Sequence, residues 1–297
     1  MGTSQGTDPV QAALSLNIWT APESATPLEG GITNHNVLVR DGGKAYVVRL
    51  GDDIPEHMVM RWNELAISRA AHAAGVAPEV VHSEPGVLVL QYVEADALSS
   101  TDLHDPETLL ATVDLIQRVH TQGLTALTGP VLSFWVFHIL RSYAAFLRDK
   151  GSDHASALPS LLEEARDLEA RVGAVSLVLG HNDLLPANVL RGSDRVWLID
   201  WEYGGLNSPL FDLGGLATNA GLPHDAEEVM LTQYFGAPPD TDLWRRYGAM
   251  KCASLLREAM WSMVSELTST LDFDYSAYTQ DNLDTYRTAL GRYLKEH

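Results

Sequence analysis

Residues 178–205, VLGHNDLLPANVLRGSDRVWLIDWEYGG, decide the fold of this 297-residue chain. Apolar runs flank the polar residues of this stretch, and they predict short buried strands at residues 177–179, 189–190 and 196–199. Asp183 and Asn188 then fall on a loop between two strands, two and seven residues after His181. Asp200 follows the last strand directly. We therefore expect three short polar side chains close together on a hydrophobic frame.

Phosphoryl transfer needs side chains of these types in this order. A carboxylate orients the attacking hydroxyl and accepts its proton, while an amide and a second carboxylate hold Mg²⁺ against the nucleotide phosphates. An H-x-D-x-x-x-x-N loop followed by a strand that ends in Asp supplies those groups. We assign Asp183 as the catalytic base, and Asn188 and Asp200 as catalytic residues that bind Mg²⁺. A surface turn capped by Asp and Asn is the structural alternative, but the flanking strands and His181 disfavour it.

The segments HNDLLPANVL and LIDWEYGGLNSPLFDL resemble the choline/ethanolamine kinase branch of the aminoglycoside phosphotransferase-like kinases. The HND form and the D-x-E-Y-x-x-x-N-x-x-x-x-D run are more typical of that branch than of the wider superfamily. The resemblance extends from about residue 30 to residue 286. It implies an α+β, two-lobed protein-kinase-like fold, with ATP and Mg²⁺ as cofactors. A small β-rich N-lobe would span residues 1–92, and a larger, mostly helical C-lobe would span residues 93–297.

Composition and charge favour a globular protein in a reducing compartment. Hydrophobic residues form 45% of the chain, and the single Cys252 excludes a disulfide framework. The net charge of −19 disfavours nucleic acid as a partner and suits a cationic small-molecule substrate, although solubility explains it equally well. No apolar run approaches about 18 residues, and the N-terminal residues lack a signal-peptide pattern. We therefore expect a cytoplasmic protein without a membrane span.

The order of elements before the catalytic segment is that of a kinase N-lobe. A hairpin is predicted over residues 28–50, a helix over 56–74, and a strand pair follows with its turn at 83–86. Residues 91–96 would form the hinge between the lobes. The chain beyond residue 103 is mostly helical, with helices predicted over residues 106–122, 133–149, 157–172, 226–235, 240–267 and 275–295.

A loop at the first strand turn is predicted to cover the nucleotide phosphates. Its glycines would let backbone N–H groups approach phosphate, and two polar side chains add donors. The loop resembles the nucleotide-covering loop of choline kinases, although a GG pair also marks plain turns and bulges. The residues assigned to it are Gly30, Gly31, Thr33 and Asn34.

Further contacts to the nucleotide are predicted from the strand and helix after this loop. Arg49 stands where protein kinases carry a phosphate-binding lysine, and the choline kinase branch resembles this chain in using arginine there. Its acidic partner on the following helix is predicted to be Glu64 rather than Glu56. Gln91, Tyr92 and Val93 in the hinge are expected to offer backbone N–H and C=O groups to adenine. Apolar walls are expected from Val37, Val47 and Ile199.

The C-terminal segment REAMWSMVSELTSTLDFDYSAYTQDNLDTYR resembles the region of choline kinases that builds an aromatic cage for a quaternary ammonium. Cation–π contact with several rings is the usual way to bind such a group. Trp261, Phe273 and Tyr278 match the cage residues, whereas Glu258 stands where eukaryotic members carry another tryptophan. Glu202 is assigned to the same acceptor site.

Two other positions depart from the eukaryotic pattern. Gly215 and Asn219 stand where that pattern has Asn and Glu. Either Glu258 now supplies the acidic charge near the acceptor nitrogen, or the acceptor is not choline. Helix–helix core packing is the alternative interpretation of the aromatic residues, since aromatics at helical spacing usually belong to a core.

The sequence thus predicts an ATP- and Mg²⁺-dependent kinase that phosphorylates the hydroxyl of a small amino alcohol, choline or ethanolamine. One alternative keeps the chemistry and changes the acceptor to an aminoglycoside, thiamine, an amino sugar or another small hydroxyl metabolite. Another is a non-catalytic nucleotide-binding regulator, which the intact set of Asp183, Asn188 and Asp200 disfavours. Catalysis would depend on positioning and charge neutralisation, without a covalent enzyme intermediate.

Overall fold

The computed structural model describes residues 8–28 and 34–297. The N-terminal elements are α1 (Pro9–Leu14), β1 (Pro22–Leu28), β2 (His35–Asp41), β3 (Lys44–Leu50), α2 (Arg61–Ala73), β4 (Val80–Glu84) and β5 (Val87–Gln91). Within the described ranges these strands form a five-stranded antiparallel sheet in the order β1–β2–β3–β5–β4. This is the β-rich N-lobe that the sequence predicts.

The predicted hairpin is present as β2 and β3, but its first arm is shorter than predicted. The turn between Asp41 and Lys44 uses Gly42 and Gly43, both with positive φ, which only glycine adopts without strain. Leu28 does not belong to this hairpin, because it ends the separate strand β1. Strand β1 was not predicted, because its sequence PESATPL contains two prolines and lacks an apolar alternation. The strand forms because it lies mostly exposed at the edge of the sheet, where proline is tolerated.

Alternation along β2 and β3 sends side chains to two different faces of the sheet. Val37 pairs with Val48, and both are fully buried in a small core with Ala13 of α1. Val47 and Arg49 occupy the alternate positions and line a large cleft on the opposite face. The prediction that Val37 forms a wall of the nucleotide site is therefore wrong, because its face of the sheet is covered by α1.

Helix α2 begins at Arg61, five residues later than the predicted start at residue 56. A 3-10 turn, Pro55–His57, precedes it, and Met58 then takes a left-handed conformation that reverses the chain. The N-terminus of α2 is capped by a residue eight positions earlier in the chain, because the backbone N–H of Arg61 donates to Asp53 Oδ1 at 2.7 Å. This start places Glu64 in the first turn of α2.

Short strands and long helices make up the rest of the chain. They are β6 (Asp96–Ala97), α3 (Pro106–Arg118), α4 (Leu124–Ala126), α5 (Val136–Asp149), α6 (Leu158–Val172), β7 (Val178–Gly180), β8 (Val189–Arg191), β9 (Val196–Leu198), β10 (Gly205–Asn207), α7 (Pro209–Ala220), α8 (His224–Phe235), α9 (Thr241–Thr268) and α10 (Tyr275–Glu296). Helix α9 is central and contacts α5, α6, α7 and α10. The predicted helices are present with small differences at their ends, except that the one predicted to reach residue 122 leaves α-geometry after Arg118.

Helix α7 is absent from the sequence prediction. It is buried on nearly all sides and therefore has no polar face, and its two central glycines lower the helix propensity. A Cβ at Gly214 would lie 3.1 Å from Cγ of Lys251, so glycine permits the close approach of α7 to α9. This packing positions Asp212, in the first turn of α7, beneath the catalytic segment.

The architecture is α+β, with a small β-rich N-lobe and a larger, mostly helical C-lobe, as the sequence predicts. The N-terminal sheet ends at Gln91, next to the predicted boundary between the lobes. Across residues 8–28 and 34–297, no helix combines the length and the apolar character needed to cross a membrane.

Candidate active site

A buried hydrogen-bond network fixes the loop after β7. The backbone N–H groups of His181 and Asn182 each donate to the carboxylate of Asp212 at 2.7 Å. His120 lies 2.9 Å from the same carboxylate through Nε2. Burial opposes the charge, but the bonds from the two histidines lower the pKa of Asp212 overall. An ionised, fully bonded Asp212 therefore supports the strained loop, in which Asn182 has a φ of 67°.

The structure brings Asp183, Asn188 and Asp200 together at one cleft of about 680 Å³. Asn188 Nδ2 donates to the backbone oxygen of Asp183 at 2.9 Å, so the amide oxygen is the atom left to act as a ligand. The backbone oxygen of Asn188 accepts from Ile199 N–H at 3.0 Å, which ties this loop to the segment that carries Asp200. Asp200 itself has a φ of 66°, a conformation unusual for a residue with a side chain.

The predicted ion pair between Arg49 and Glu64 is formed. Arg49 Nε lies 3.2 Å from Glu64 Oε1, and both side chains are buried. Arg49 Nη2 also lies 2.8 Å from Asp200 Oδ1 and 3.6 Å from Glu202 Oε2. Burial disfavours the guanidinium charge, but the three carboxylates outweigh it and keep the pKa of Arg49 above its usual value.

Arg61 belongs to the same network, although it was not among the predicted site residues. Its Nη1 lies 2.7 Å from Glu64 Oε2 and 3.2 Å from Glu202 Oε2. The available signal was its position three residues before Glu64, which puts both on one face of a helix. Asn34 Nδ2 also donates to Glu202 Oε2, at 2.9 Å.

Glu202 therefore lies on the arginine side of the cleft, rather than in the acceptor site to which the sequence analysis assigned it. Its carboxylate faces two arginines and an asparagine from the N-lobe. Burial, and then the nearby Asp200, raise the pKa of Glu202. Among the other loop residues assigned to phosphate binding, Gly30, Gly31 and Thr33 lie outside the described residues.

The hinge segment borders the cleft at Gln91, Tyr92 and Val93. The N–H of Gln91 donates to Glu79 O at 2.9 Å, and the N–H of Tyr92 donates to Ala45 O at 3.0 Å. The N–H of Val93 forms no hydrogen bond with the described residues. Of the three hinge residues predicted to contact adenine, Val93 is therefore the one whose backbone N–H remains available to a ligand among the described residues. Val47 and Ile199 line the cleft as predicted.

The acceptor end of the cleft contains two of the three predicted cage residues. Trp261 and Tyr278 line it together with Glu258, and the hydroxyl of Tyr278 donates to Glu258 Oε1 at 2.9 Å. Trp261 is 7% exposed, and its Nε1 donates to the hydroxyl of Tyr203 at 3.0 Å. Phe273 is 52% exposed and packs against the edge of Tyr278, outside the residues that line the cleft. The predicted three-ring cage is therefore incomplete.

Arg257, which was not among the predicted site residues, lies beside the predicted catalytic base Asp183. It is 4% exposed, and its Nη1 lies 3.6 Å from Asp183 Oδ1 and 3.0 Å from Glu258 Oε2. Burial raises the pKa of Asp183 to about 7, and Arg257 opposes that rise while Glu258 adds to it. A charged residue within the apolar stretch of α9 was the signal that could have revealed this contact.

Comparisons with known proteins show the family and the fold of the chain. The family model for choline/ethanolamine kinases matches residues 25–228. Protein LicA of Haemophilus influenzae is 27% identical over 261 residues, which cover 85% of this chain and 96% of that protein. Mouse ethanolamine kinase 2 is 25% identical over 288 residues, covering 86% of this chain and 73% of that protein. The crystal structure of choline kinase LicA from Streptococcus pneumoniae superposes with a TM-score of 0.78 at 22% identity, covering 95% and 98% of the two chains. That likeness confirms the predicted fold.

Proposed function

Because the chain belongs to the choline/ethanolamine kinase family, we propose that it transfers the γ-phosphoryl group of ATP to choline or ethanolamine, with Mg²⁺ as cofactor. The observation that carries the proposal is the shared cleft of Asp183, Asn188 and Asp200, which the hinge and Glu258 also line. A nucleotide and a small alcohol can bind there side by side. The intact set of three polar residues supports catalysis over a purely regulatory role.

The nucleotide half of the cleft suits ATP. Val47 and Ile199 provide apolar walls for a base, and Val93 provides a backbone N–H. Arg49 faces the cleft with a guanidinium fork, the side-chain shape that matches phosphate oxygens. Its ion pair with Glu64 holds that fork in place, so little side-chain entropy is lost when phosphate binds.

The residues at the centre of the cleft fit Mg²⁺. Asn188 and Asp200 offer an amide oxygen and a carboxylate, and Mg²⁺ typically takes one or two such protein ligands and completes its shell with phosphate oxygens and water. When bound, Mg²⁺ neutralises charge on the phosphates. Asn188 is oriented for this by its bond to the Asp183 backbone, and Asp200 is oriented by Arg49.

Asp183 acts on the acceptor hydroxyl. Its carboxylate accepts the hydrogen bond of the hydroxyl, points the oxygen at the γ-phosphorus, and takes the proton as the new bond forms. Arg257 at 3.6 Å favours the ionised form that this role requires. Glu258, at the same end of the cleft, supplies a negative charge for the acceptor nitrogen.

A direct assay tests the proposal. Purified protein is incubated with ATP and Mg²⁺ and with choline, ethanolamine, thiamine, amino sugars or aminoglycosides. ADP release and the phosphorylated product, by mass spectrometry, are both measured. We expect phosphocholine or phosphoethanolamine. Product from another acceptor class alone, or ADP release without any phosphorylated acceptor, would overturn the proposal.

A further inference from the structure

Resting on that proposed function, we propose that Arg257 determines acceptor specificity: its guanidinium covers an aromatic face inside the acceptor pocket, so that the pocket accepts the primary ammonium of a small alcohol and rejects a quaternary ammonium. The proposal concerns the half of the cleft beyond Asp183.

Arg257 is fixed inside the pocket wall and does not extend into solvent. It lies on α9, 4% exposed, and bridges the carboxylates of Asp183 and Glu258 through one nitrogen. The centre of its guanidinium lies 4.5 Å from the centre of the Tyr203 ring and 5.6 Å from that of Phe134. The positive charge is therefore part of the site itself.

The contacts of Arg257 remove the ring surface that a quaternary ammonium needs. Such a group has no N–H donor and depends on open aromatic faces and apolar contact. The guanidinium covers the face of Tyr203. The Trp261 ring is almost fully buried and packs on His57, with 5.1 Å between the ring centres, while Phe273 lies outside the lining of the cleft.

Hydrogen-bond acceptors take the place of those rings. A cavity of about 120 Å³ adjoins the cleft at Asp183 and Glu258, and side chains of Asn219 and Ser254 line it. Asn219 Nδ2 is already bonded to the backbone oxygen of Leu184, so its amide oxygen is the atom available to a donor. A primary ammonium has three donors and can satisfy such oxygens, whereas a trimethylammonium cannot.

Size and charge agree with a small monovalent cation. The cavity is somewhat smaller than an engineered cavity of about 150 Å³ that holds benzene, which suits an acceptor of a few heavy atoms. When both carboxylates are ionised, they and the one guanidinium leave this end of the cleft with a single negative charge. One ammonium group neutralises that charge, and Glu258 is the carboxylate placed to contact it.

The test compares acceptors that differ only in N-methylation: ethanolamine and its monomethyl, dimethyl and trimethyl forms. The ratio kcat/KM is measured for each acceptor with the wild-type enzyme, Arg257→Leu and Arg257→Lys. For the wild type we expect kcat/KM to fall with methylation, by about tenfold or more for choline. Arg257→Leu should move the choline-to-ethanolamine ratio towards choline by about tenfold, while Arg257→Lys, which keeps a cationic side chain to cover the Tyr203 ring, should retain the wild-type preference.

Several results would overturn the inference. A wild-type enzyme that prefers choline to ethanolamine contradicts the inference. This measurement needs no variant, so the inference can be tested even if Arg257→Leu folds poorly. An unchanged acceptor ratio in a folded Arg257→Leu, with ATP KM as the check on the fold, also contradicts it. Phosphorylation of no member of the series rejects the proposed function, and the inference with it. Phosphorylation without discrimination rejects the inference alone.

Discussion

The Nη2 atom of Arg49 lies 2.8 Å from Oδ1 of Asp200, so a strand of the N-lobe is joined directly to the catalytic segment of the C-lobe. The same arginine forms an ion pair with Glu64 on α2. One guanidinium thus links the sheet, the first helix of the N-lobe and the proposed Mg²⁺ ligand. The arrangement couples the position of the phosphate-binding arginine to that of the metal-binding carboxylate.

Asp200→Ala should abolish the Mg²⁺-dependent part of ATP binding, because a hard cation needs the carboxylate oxygen. The measurement is an ATP titration with and without Mg²⁺. Asp194→Ala, in the exposed turn between β8 and β9, is the matched control and should keep the metal enhancement. If the enhancement survives in Asp200→Ala, Asp200 does not bind the metal.

Glu64→Gln should weaken ATP binding and lower stability together. The substitution removes a buried charge that pairs with Arg49 and Arg61, and the free energy of unfolding should fall by about 1–3 kcal/mol. We expect a higher KM for ATP and a smaller change in the acceptor KM. Glu56→Gln, in the turn before α2, is the control. Equal effects of the two substitutions would show that the Arg49–Glu64 pair has no special role.

The buried His57 should make the free energy of unfolding decrease at acidic pH. Burial, and then Arg257, lower the pKa of His57 from 6.5 to about 3 in the folded protein. The unfolded chain therefore binds more protons than the folded chain between pH 6.5 and 3, and stability falls as the pH decreases through that window. The slope contributed by this group approaches about 1.4 kcal/mol per pH unit.

His57→Gln removes the titrating group, so chemical denaturation at several pH values should show a shallower acid slope. His138→Gln, at an exposed position of α5, is the matched control. A slope that is unchanged in His57→Gln would mean that His57 does not remain neutral in the folded state.

Glu258→Gln should raise the acceptor KM, whereas Phe273→Ala should leave it within about twofold. The difference follows from placement, since Glu258 lines the cleft and Phe273 lies outside its lining. Steady-state kinetics with acceptor and ATP varied separately measure both effects. A large increase of the acceptor KM in Phe273→Ala would instead support the three-ring cage that the sequence predicts.

The catalytic segment was predictable because its signal is local. Asp183, Asn188 and Asp200 lie within eighteen residues, and strand periodicity places them on one loop system. The Arg49–Glu64 pair was also predictable, since the strand end and the following helix constrain both residues.

Other parts of the site depend on contacts between distant segments. The placement of Glu202 follows from Arg61, which is 141 residues away in the chain. Arg257 contacts Asp183 from a distant part of the chain. Its charge within α9 marks it as unusual, but does not reveal which residue it contacts. Helix α7 lacks an amphipathic pattern because it is buried on nearly all sides.

The most direct test of the proposed kinase mechanism is the turnover of Asp183→Asn. The substitution keeps the size of the side chain and removes the carboxylate that accepts the hydroxyl proton. We predict that kcat falls by roughly two or more orders of magnitude while the Kd for ATP stays nearly the same, because other residues hold the phosphates. An unchanged kcat in the folded variant would contradict the assignment of Asp183 as the catalytic base.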